Sequence, residues 1–420
     1  MSAIAPHPGA AQLVADGAHR TRWPALVPLM PLRRILLMFW LTAALLAGGV
    51  ALTAALNPYG ATPSRLIDPI FRKVKQERLA TPYLLRTAAP ETILLGSSRV
   101  QMGMRIEQVE RDGVMNAAIK GATLSQIARI VDVALLKPRL KRIVWGVDFF
   151  AFGTRWDRDD PNFDARIAYR VPARIEDTLL SLDALGDGLD MAKRALRGRA
   201  RLSATMRAGV PWSAQMICAQ YASDRIGGLD AATPANIAMQ LRDIAYLYDR
   251  FEFSPAHLEL FRRTVAKILA HHVQLILFVP PMSAYELEFI RQSGHWSDLE
   301  KFKRALAAVA PFEDYAAFNG MAVKDAFYLQ VIHFKVAPGE EILRTLLGMP
   351  VAVCDADARL VAQSAVHIDA ANVDAILAME DRWRDDQTDR DSRYSRLVAD
   401  AVRQAKIDQT TGSTGESADE

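Results

Sequence analysis

A serine that follows an apolar run is the side chain of this sequence best placed for covalent chemistry. Ser98 closes the segment Gly-Ser-Ser at 96–98, directly after the apolar residues 93–95, a pattern typical of a buried strand that ends in a tight turn. Parallel α/β sheets bind ligands beyond the carboxyl ends of their strands, so a serine there could act as a nucleophile. A plain turn or a helix N-cap is the commoner explanation of Gly-Ser-Ser, and this segment alone leaves both interpretations open.

Two further apolar runs end in residues that could border the same site. Residues 114–119 are followed by Gly121, and residues 143–147 are followed by Asp148. These runs alternate with segments of helical periodicity, which predicts a parallel sheet with right-handed crossovers. The predicted fold class is therefore α/β, with three layers in the order α/β/α. The other predicted strands are residues 273–279 and 312–318, and residues 351–354 are a candidate edge strand.

A histidine late in the chain could serve as the general base. His333 lies between the last predicted strand and a helix predicted from about residue 338 to 347. Ester hydrolysis needs a nucleophile, a base and N–H donors for the oxyanion. Ser98 and His333 could supply the first two, and the backbone N–H groups of Ser98 and Gly121 the third, because glycine lets the backbone approach a ligand closely. A helix-cap or core histidine is the other interpretation of His333, and Asp148 could equally cap a helix.

An uncharged run at residues 35–56 predicts a membrane-spanning helix. At 1.5 Å per residue it would be about 33 Å long, enough to cross a bilayer. A secretory signal has a shorter apolar core, and a buried core helix would fit poorly beside the proline-rich segment 1–34. The arginines of that segment indicate a cytoplasmic N-terminus. We therefore expect a single-pass protein of a bacterial inner membrane whose main domain is extracytoplasmic, and periplasmic if the cell is Gram-negative.

The remaining segments suggest one large domain with extensions. The expected divisions are a cytoplasmic tail at 1–34, the span at 35–56, a stalk at 57–89, an α/β domain at 90–348 with a helical insertion at about 153–235, a C-terminal extension at 349–408 and a disordered tail at 409–420. Charges of alternating sign in the insertion indicate a solvated surface, and a binding lid is the alternative.

Charge and cysteine content exclude some classes of function. The net charge of +3 gives no reason to expect a nucleic-acid partner. Cys218 and Cys354 have no metal-type spacing, and whether they pair as a disulfide stays open. Neither a metal nor an organic cofactor is implied.

Taken in order, these segments resemble the SGNH (GDSL-like) hydrolase superfamily. They are most similar to its membrane-anchored bacterial members related to polysaccharide O-acetyltransferase proteins. The resemblance covers about residues 90–348. The order and spacing of the similar segments support it more than any single motif does. The similar segments are GSSR at 96–99, NAAIKGA at 116–122, GVDFF at 146–150, PPMSAYELEF at 280–289 and HFKVAPGEEIL at 333–343. The resemblance implies a flavodoxin-like fold, with Ser98 as the nucleophile, His333 as the catalytic histidine and Gly121 as the oxyanion glycine.

The sequence departs from the family pattern at two positions near the implied site. The family usually has an acid three residues before the histidine, where this chain has Gln330. Glutamine cannot supply the negative charge that stabilises a protonated base. Asp148 lies where the family usually has an asparagine donor, and a carboxylate would oppose an oxyanion. Three alternatives follow: the site works as a Ser98–His333 dyad, it borrows an acid from elsewhere in the chain, or it is inactive. Asp148 and Gln330 are expected near its pocket.

Two classes of function follow from these observations. The first is a membrane-anchored serine esterase or O-acyltransferase that moves an acyl group, acetyl being expected, on a cell-envelope or exported polysaccharide or a small acyl ester. The second is a catalytically degenerate domain that binds or scaffolds within a complex for polysaccharide modification or export. Gln330 and Asp148 favour the second class. The glycan, the acyl donor and the oligomeric state are not specified by the sequence.

Overall fold

The computed structural model describes most of the chain, in segments separated by gaps. The described residues are 32–64, 66–67, 77–104, 113–157, 160–168, 175–207, 228–248, 250–349, 356–390 and 392–410. The tail before Leu32, both cysteines, the candidate strand at 351–354 and residues 411–420 therefore lie outside the described residues. The chain divides into two compact units, Met1–Gly49 and Val50–Glu420.

An apolar helix begins the described part of the chain. It extends over Leu32–Leu56, and its mean hydropathy reaches 2.3, so by length and composition it can cross a membrane. It is the one candidate span among the described residues. The run predicted at 35–56 lies within it, which supports a single-pass membrane protein. The orientation and the compartment stay predictions.

The second unit contains a six-stranded, mostly parallel sheet. The strands of the chain are β1 (Thr92–Leu95), β2 (Val114–Asn116), β3 (Arg142–Gly146), β4 (Gln274–Val279), β5 (Phe312–Asp314), β6 (Tyr328–Gln330), β7 (His333–Phe334) and β8 (Val366–Ile368). The main sheet has the order β2-β1-β3-β4-β5-β8, with β8 antiparallel to β5 and all other pairs parallel. The α/β class is confirmed, and so is the parallel arrangement of the first five strands. The sheet as a whole is not parallel, because β8 runs antiparallel to β5. Its edge strand β8 is one that the sequence analysis did not predict.

Helices of mostly amphipathic sequence alternate with the strands. They extend over Glu77–Thr87, Ser98–Gly103, Leu124–Ala134, Pro161–Ile167, Ile175–Thr178, Leu182–Arg207, Pro234–Asp243, Ala245–Tyr248, Pro255–Ala270, Ala284–Gln292, Trp296–Ala307, Val336–Leu346, Ala356–Gln363, Val373–Arg390 and Ser392–Thr410. The helix Leu124–Ala134 illustrates how the sequence forms them. Thr123 and Gln126 make a reciprocal capping box at its start, and residues three and four apart, such as Ile127 and Ile130, are buried.

Segments outside the predicted α/β core also contribute to the second unit. The described part of the 153–235 insertion is largely helical. The segment beyond Gly348 supplies β8 and the buried Glu380. In the predicted stalk, Arg78 donates hydrogen bonds to the carbonyl groups of Lys120 and Gly121. The last described helix extends to Thr410, past the start of the tail expected from residue 409.

Candidate active site

Ser98 lies where β1 meets a short helix, at the carboxyl edge of the parallel sheet. All four residues of β1 are buried, and Ser98 is the first residue of the helix Ser98–Gly103. Ser97 caps this helix, because its hydroxyl accepts the N–H of Arg99 at 3.3 Å. Ser98 itself is half-buried, so part of this residue is in contact with solvent. The helix-cap interpretation of Gly-Ser-Ser is therefore correct for Ser97, and Ser98 is free of that role.

A small hairpin positions His333. Strands β6 and β7 pair antiparallel, with Gln330 opposite His333 across a two-residue turn. The turn is anchored from two sides: the N–H of Val331 donates to Oε1 of Gln240 at 2.9 Å, and the hydroxyl of Ser283 donates to the carbonyl of Val331 at 2.7 Å. The spacing of three residues between Gln330 and His333 thus becomes a direct side-chain contact.

Ser98, His333 and Gln330 form one hydrogen-bonded chain. Nε2 of His333 lies 2.9 Å from Oγ of Ser98, and Nδ1 of His333 lies 2.8 Å from Oε1 of Gln330. An amide oxygen can only accept a hydrogen bond, so Nδ1 carries the proton and donates it to Gln330. This tautomer leaves the lone pair of Nε2 facing the hydroxyl of Ser98. The geometry is that of a nucleophile, a base and an orienting group, with the orienting group uncharged.

The surroundings of His333 keep its ring neutral. Burial, followed by the positive charges of Arg99 and Lys120, lowers the pKa of His333 to about 4. A neutral imidazole is the form that can take a proton from serine. Near neutral pH His333 is therefore in the form required of a base, but its low pKa makes it a weak one.

Two glycines bring the elements that carry Ser98 and His333 together. A Cβ atom on Gly339, in the helix Val336–Leu346, would overlap the carbonyl oxygen of Gly103, in the helix that begins at Ser98. A Cβ atom on Gly103 would in turn overlap the ring of Phe334, which follows His333 directly. Glycine permits this close approach of two backbones, and a larger residue at either position would push the base away from the nucleophile.

The predicted oxyanion donors follow the ends of adjacent parallel strands. Gly121 lies in the turn after β2 with φ +60°, a conformation that favours glycine. Its carbonyl oxygen accepts a hydrogen bond from Nη2 of Arg78 at 3.0 Å. Among the residues that the structure describes, no acceptor bonds the N–H of Gly121 or the N–H of Ser98. Both groups are therefore available to an oxygen atom of a ligand.

Asp148 follows β3 and lies in a buried charge cluster rather than in an open pocket. Its Oδ1 is 3.2 Å from Nε of Arg99, an ion pair that lacks hydrogen-bond geometry. Arg99 also pairs with Glu286, whose Oε1 accepts the hydroxyl of Tyr248. The negative charge that the sequence analysis expected to oppose an oxyanion is thus compensated by an arginine. No pattern in the sequence predicted a functional role for Arg99, Glu286 or Tyr248.

The protonation of this cluster reflects its burial. Burial raises the pKa of Asp148 and the pKa of Glu286, and Arg99 opposes both shifts. Burial alone would lower the pKa of Arg99, but Glu286 and Asp148 raise it above its usual value, so Arg99 stays charged. A single guanidinium thus holds two carboxyl groups beneath the nucleophile. A sequence signal existed for Asp148, which is the ionisable residue of the otherwise apolar segment 143–152, because a buried charge needs a partner.

The described residues contain no group of three or more His, Cys, Asp or Glu side chains that could hold a metal ion. The contacts of the structure bring Ser98, His333 and Gln330 together, and the N–H groups of Ser98 and Gly121 follow the ends of the adjacent strands β1 and β2. No protein-family model matches the sequence, and no curated protein matches it.

Proposed function

We propose that this protein is a serine-dependent acyl-transfer enzyme, with Ser98 as its nucleophile and His333 as its base. The observation that carries the proposal is the hydrogen-bonded chain from Ser98 Oγ to His333 Nε2 at 2.9 Å and from His333 Nδ1 to Gln330 Oε1 at 2.8 Å. The nucleophile and the base are 235 residues apart in sequence. Their contact at the carboxyl edge of a parallel sheet is what an active site of this class requires.

The reaction would proceed through an acyl-enzyme. Oγ of Ser98 attacks the ester carbonyl carbon while its proton passes to Nε2 of His333, and the carbonyl oxygen becomes an oxyanion bound by the N–H groups of Ser98 and Gly121. Collapse of this intermediate breaks the ester bond, and His333 returns its proton to the leaving alcohol. The acyl group then passes from Ser98 to water or to a sugar hydroxyl, with His333 again acting as base and then as acid.

Gln330 explains why the reaction should be slow. Its amide oxygen fixes the tautomer and the orientation of His333, which is half of what an acid does in a catalytic triad. It carries no negative charge, so the imidazolium that forms during attack lacks a counter-ion. We therefore infer a working dyad of modest rate rather than a complete triad.

We also propose a fold family, a substrate class and a location for this enzyme. We assign residues 90–348 to an SGNH-like domain of three α/β/α layers, and Leu32–Leu56 to a single inner-membrane span with the domain outside the cytoplasm. An acyl-transfer site on an anchored extracytoplasmic domain suits acetyl groups of a cell-envelope or exported polysaccharide. The support is the resemblance of the segments around Ser98, Gly121 and His333, together with the apolar helix.

The second candidate is a degenerate domain that binds or scaffolds without catalysis. The uncharged Gln330 and the pKa of His333 near 4 favour it, because both weaken the base. The two candidates differ in whether Ser98 can be acylated.

The variant Gln330→Glu separates the two candidates. It keeps the length of the side chain that contacts Nδ1 of His333 and adds the missing charge. We expect kcat/KM for 4-nitrophenyl acetate to rise about tenfold and the acid limb of its pH profile to move up from about 4, because a carboxylate stabilises the protonated histidine.

Three further proteins control this measurement. Leu329→Glu adds the same charge on the neighbouring exposed residue and should raise neither quantity comparably. Ser98→Ala and His333→Ala should each abolish turnover and labelling by a fluorophosphonate probe. If neither the wild type nor Gln330→Glu forms an acyl adduct or reacts with the probe, the scaffold function replaces the enzyme.

A further inference from the structure

A cavity of about 270 Å³ is lined by residues that follow β3 and by residues 246–252. Its walls include the rings of Phe150, Trp156, Tyr246 and Phe251, with Thr154 and Glu252 among the polar residues that line it. We call it the aromatic pocket. Pockets for drug-sized ligands occupy about 300 to 1,000 Å³, so this one suits a ligand of roughly one ring.

The aromatic pocket borders the predicted oxyanion glycine. The ring of Trp156 lies 3.8 Å from the point that a Cβ atom on Gly121 would occupy, and its Nε1–H donates to the carbonyl of Ala122 at 3.1 Å. On the other side, the ring of Phe150 packs 5.7 Å from the guanidinium of Arg99, the residue after Ser98. The pocket therefore adjoins the residue that follows β2 and the arginine that follows Ser98.

Tyr246 and the half-buried Trp156 form a platform at the solvent-facing side of the pocket, and Phe150 is buried behind them. Trp156 and Tyr246 stack with ring centroids 6.1 Å apart and an interplanar angle of 22°, and Phe150 meets Trp156 edge-on at 4.7 Å. Tyr246 is 59% exposed although it is a large aromatic residue. Aromatic side chains with one apolar face and a polar rim are suited to a ligand that is itself amphipathic.

A sugar ring has this amphipathic character. Its axial C–H bonds make one face apolar, and its hydroxyl groups point outward to donors and acceptors. Around the platform, Thr154 and Glu252 provide a hydroxyl and a carboxylate, and Arg155 and Arg250 provide guanidinium groups. A fatty acyl chain would fit the rings equally well but would make no hydrogen bonds to the polar groups around them.

We propose that the aromatic pocket binds one sugar ring of the acylated polysaccharide, with the ring stacked on Trp156 and Tyr246 and the ester directed toward Ser98. This proposal rests on the proposed acyl-transfer function and names its substrate class. The pocket supplies specificity for a glycan ester over a simple ester, because only the glycan ester contacts the platform.

The test compares three classes of ester on the full chain in detergent micelles. The probes are the pentaacetates of glucose, mannose and galactose as sugar esters, 4-nitrophenyl acetate as a sugar-free ester, and 4-nitrophenyl octanoate as an ester with a long acyl chain. The variants are Tyr246→Ala, which removes an exposed ring, and Tyr246→Phe, which keeps the ring. Leu136→Ala removes an exposed apolar side chain after the helix Leu124–Ala134, away from the pocket.

We expect Tyr246→Ala to lower the preference for at least one hexose pentaacetate over 4-nitrophenyl acetate about tenfold, mainly through KM. Tyr246→Phe and Leu136→Ala should keep the wild-type preference. Equal loss on all esters would mean a structural role for Tyr246, and selective loss of octanoate turnover would mean an acyl-chain pocket. An unchanged preference for all three hexose esters, or either of these results, overturns the proposal.

A binding measurement separates failure of the pocket from failure of catalysis. Saturation-transfer NMR on Ser98→Ala with the methyl glycosides of the same three hexoses needs no turnover. A transfer signal that disappears in Ser98→Ala combined with Tyr246→Ala supports the pocket even if no ester is hydrolysed. Absence of any signal from all three methyl glycosides overturns the pocket, whatever the esterase assay gives.

Discussion

Two buried clusters in this molecule have the same composition, one cation and two carboxyl groups, but they lie in different places. In the first, Arg99 pairs with Asp148 and Glu286 beneath the nucleophile. In the second, Nζ of Lys303 lies 2.7 Å from Oδ2 of Asp314, 2.6 Å from Oε2 of Glu380 and 2.8 Å from the carbonyl oxygen of Ala316. All six ionisable side chains are almost fully buried.

The arginine of the first cluster and the lysine of the second each suit the elements that their cluster connects. The Arg99 cluster connects the first turn after β1, the end of β3 and the helix Ala284–Gln292, all at the edge where the candidate site lies. A planar guanidinium reaches partners on several sides and always stays charged. The Lys303 cluster connects a helix and β5 to the helix Val373–Arg390, and an ammonium with three donors suits three close oxygen atoms. The first cluster therefore affects both folding and the site, and the second should affect folding alone.

Replacing Arg99 tests the cluster beneath the nucleophile, which we expect to affect both folding and the site. Arg99→Leu leaves two buried carboxyl groups without their cation, and we expect the free energy of unfolding to fall by about 3–5 kcal/mol. We also expect the pKa of His333 to rise from about 4, because Arg99 is one of the charges that lowers it. Denaturant titration and the acid limb of the pH–rate profile measure the two effects. An acid limb that stays at about 4 in the folded variant would disprove the link between the cluster and the site.

Replacing the lysine is the matched test. Lys303→Leu also leaves two buried carboxyl groups unpaired, so a similar loss of about 3–5 kcal/mol is expected. Lys303 is not among the charges that shift His333, so the acid limb should stay where it is in the wild type. The same two measurements apply. A shift of the limb as large as that in Arg99→Leu would mean that both clusters act only through global stability.

A third prediction concerns the pH dependence of stability. Burial raises the pKa of Glu380 from 4.5 to about 8, against the opposing effect of Lys303. The folded state thus binds this proton more tightly than the unfolded state, so Glu380 contributes stability that is lost as pH rises from about 4.5 to 8. The slope approaches at most about 1.4 kcal/mol per pH unit.

The variant Glu380→Gln should remove that slope, because glutamine does not titrate. Denaturant titrations at several pH values between 5 and 8 measure the difference between the variant and the wild type. Glu259→Gln removes one negative charge at an exposed position and serves as the control. A slope that is equal in Glu380→Gln and the wild type would show that Glu380 is not the titrating group.

The sequence predicted the parts of the fold that depend on local pattern. Apolar runs identified β1, β3 and β4, and helical periodicity identified the helix Leu124–Ala134, because burial of one face leaves a repeat in the sequence. The edge strand β8 was missed because it has three residues, and its central one, His367, is exposed. Such a strand has no apolar run to reveal it, and its place depends on pairing with β5.

Some features of the candidate site could be predicted from the sequence, and others depend on the tertiary structure. The sequence by itself determined that Ser98, Gly121 and Asp148 follow strand ends, and that Gln330 lies three residues before His333. Only the tertiary structure decided that Ser98 contacts His333, that Gln330 orients the ring by its amide oxygen, and that Arg99 compensates Asp148. Arg99 and Glu286 are 187 residues apart in the chain. Hydrophobic periodicity specifies which face of an element is buried, but the partner of a buried charge is specified only when distant elements pack together.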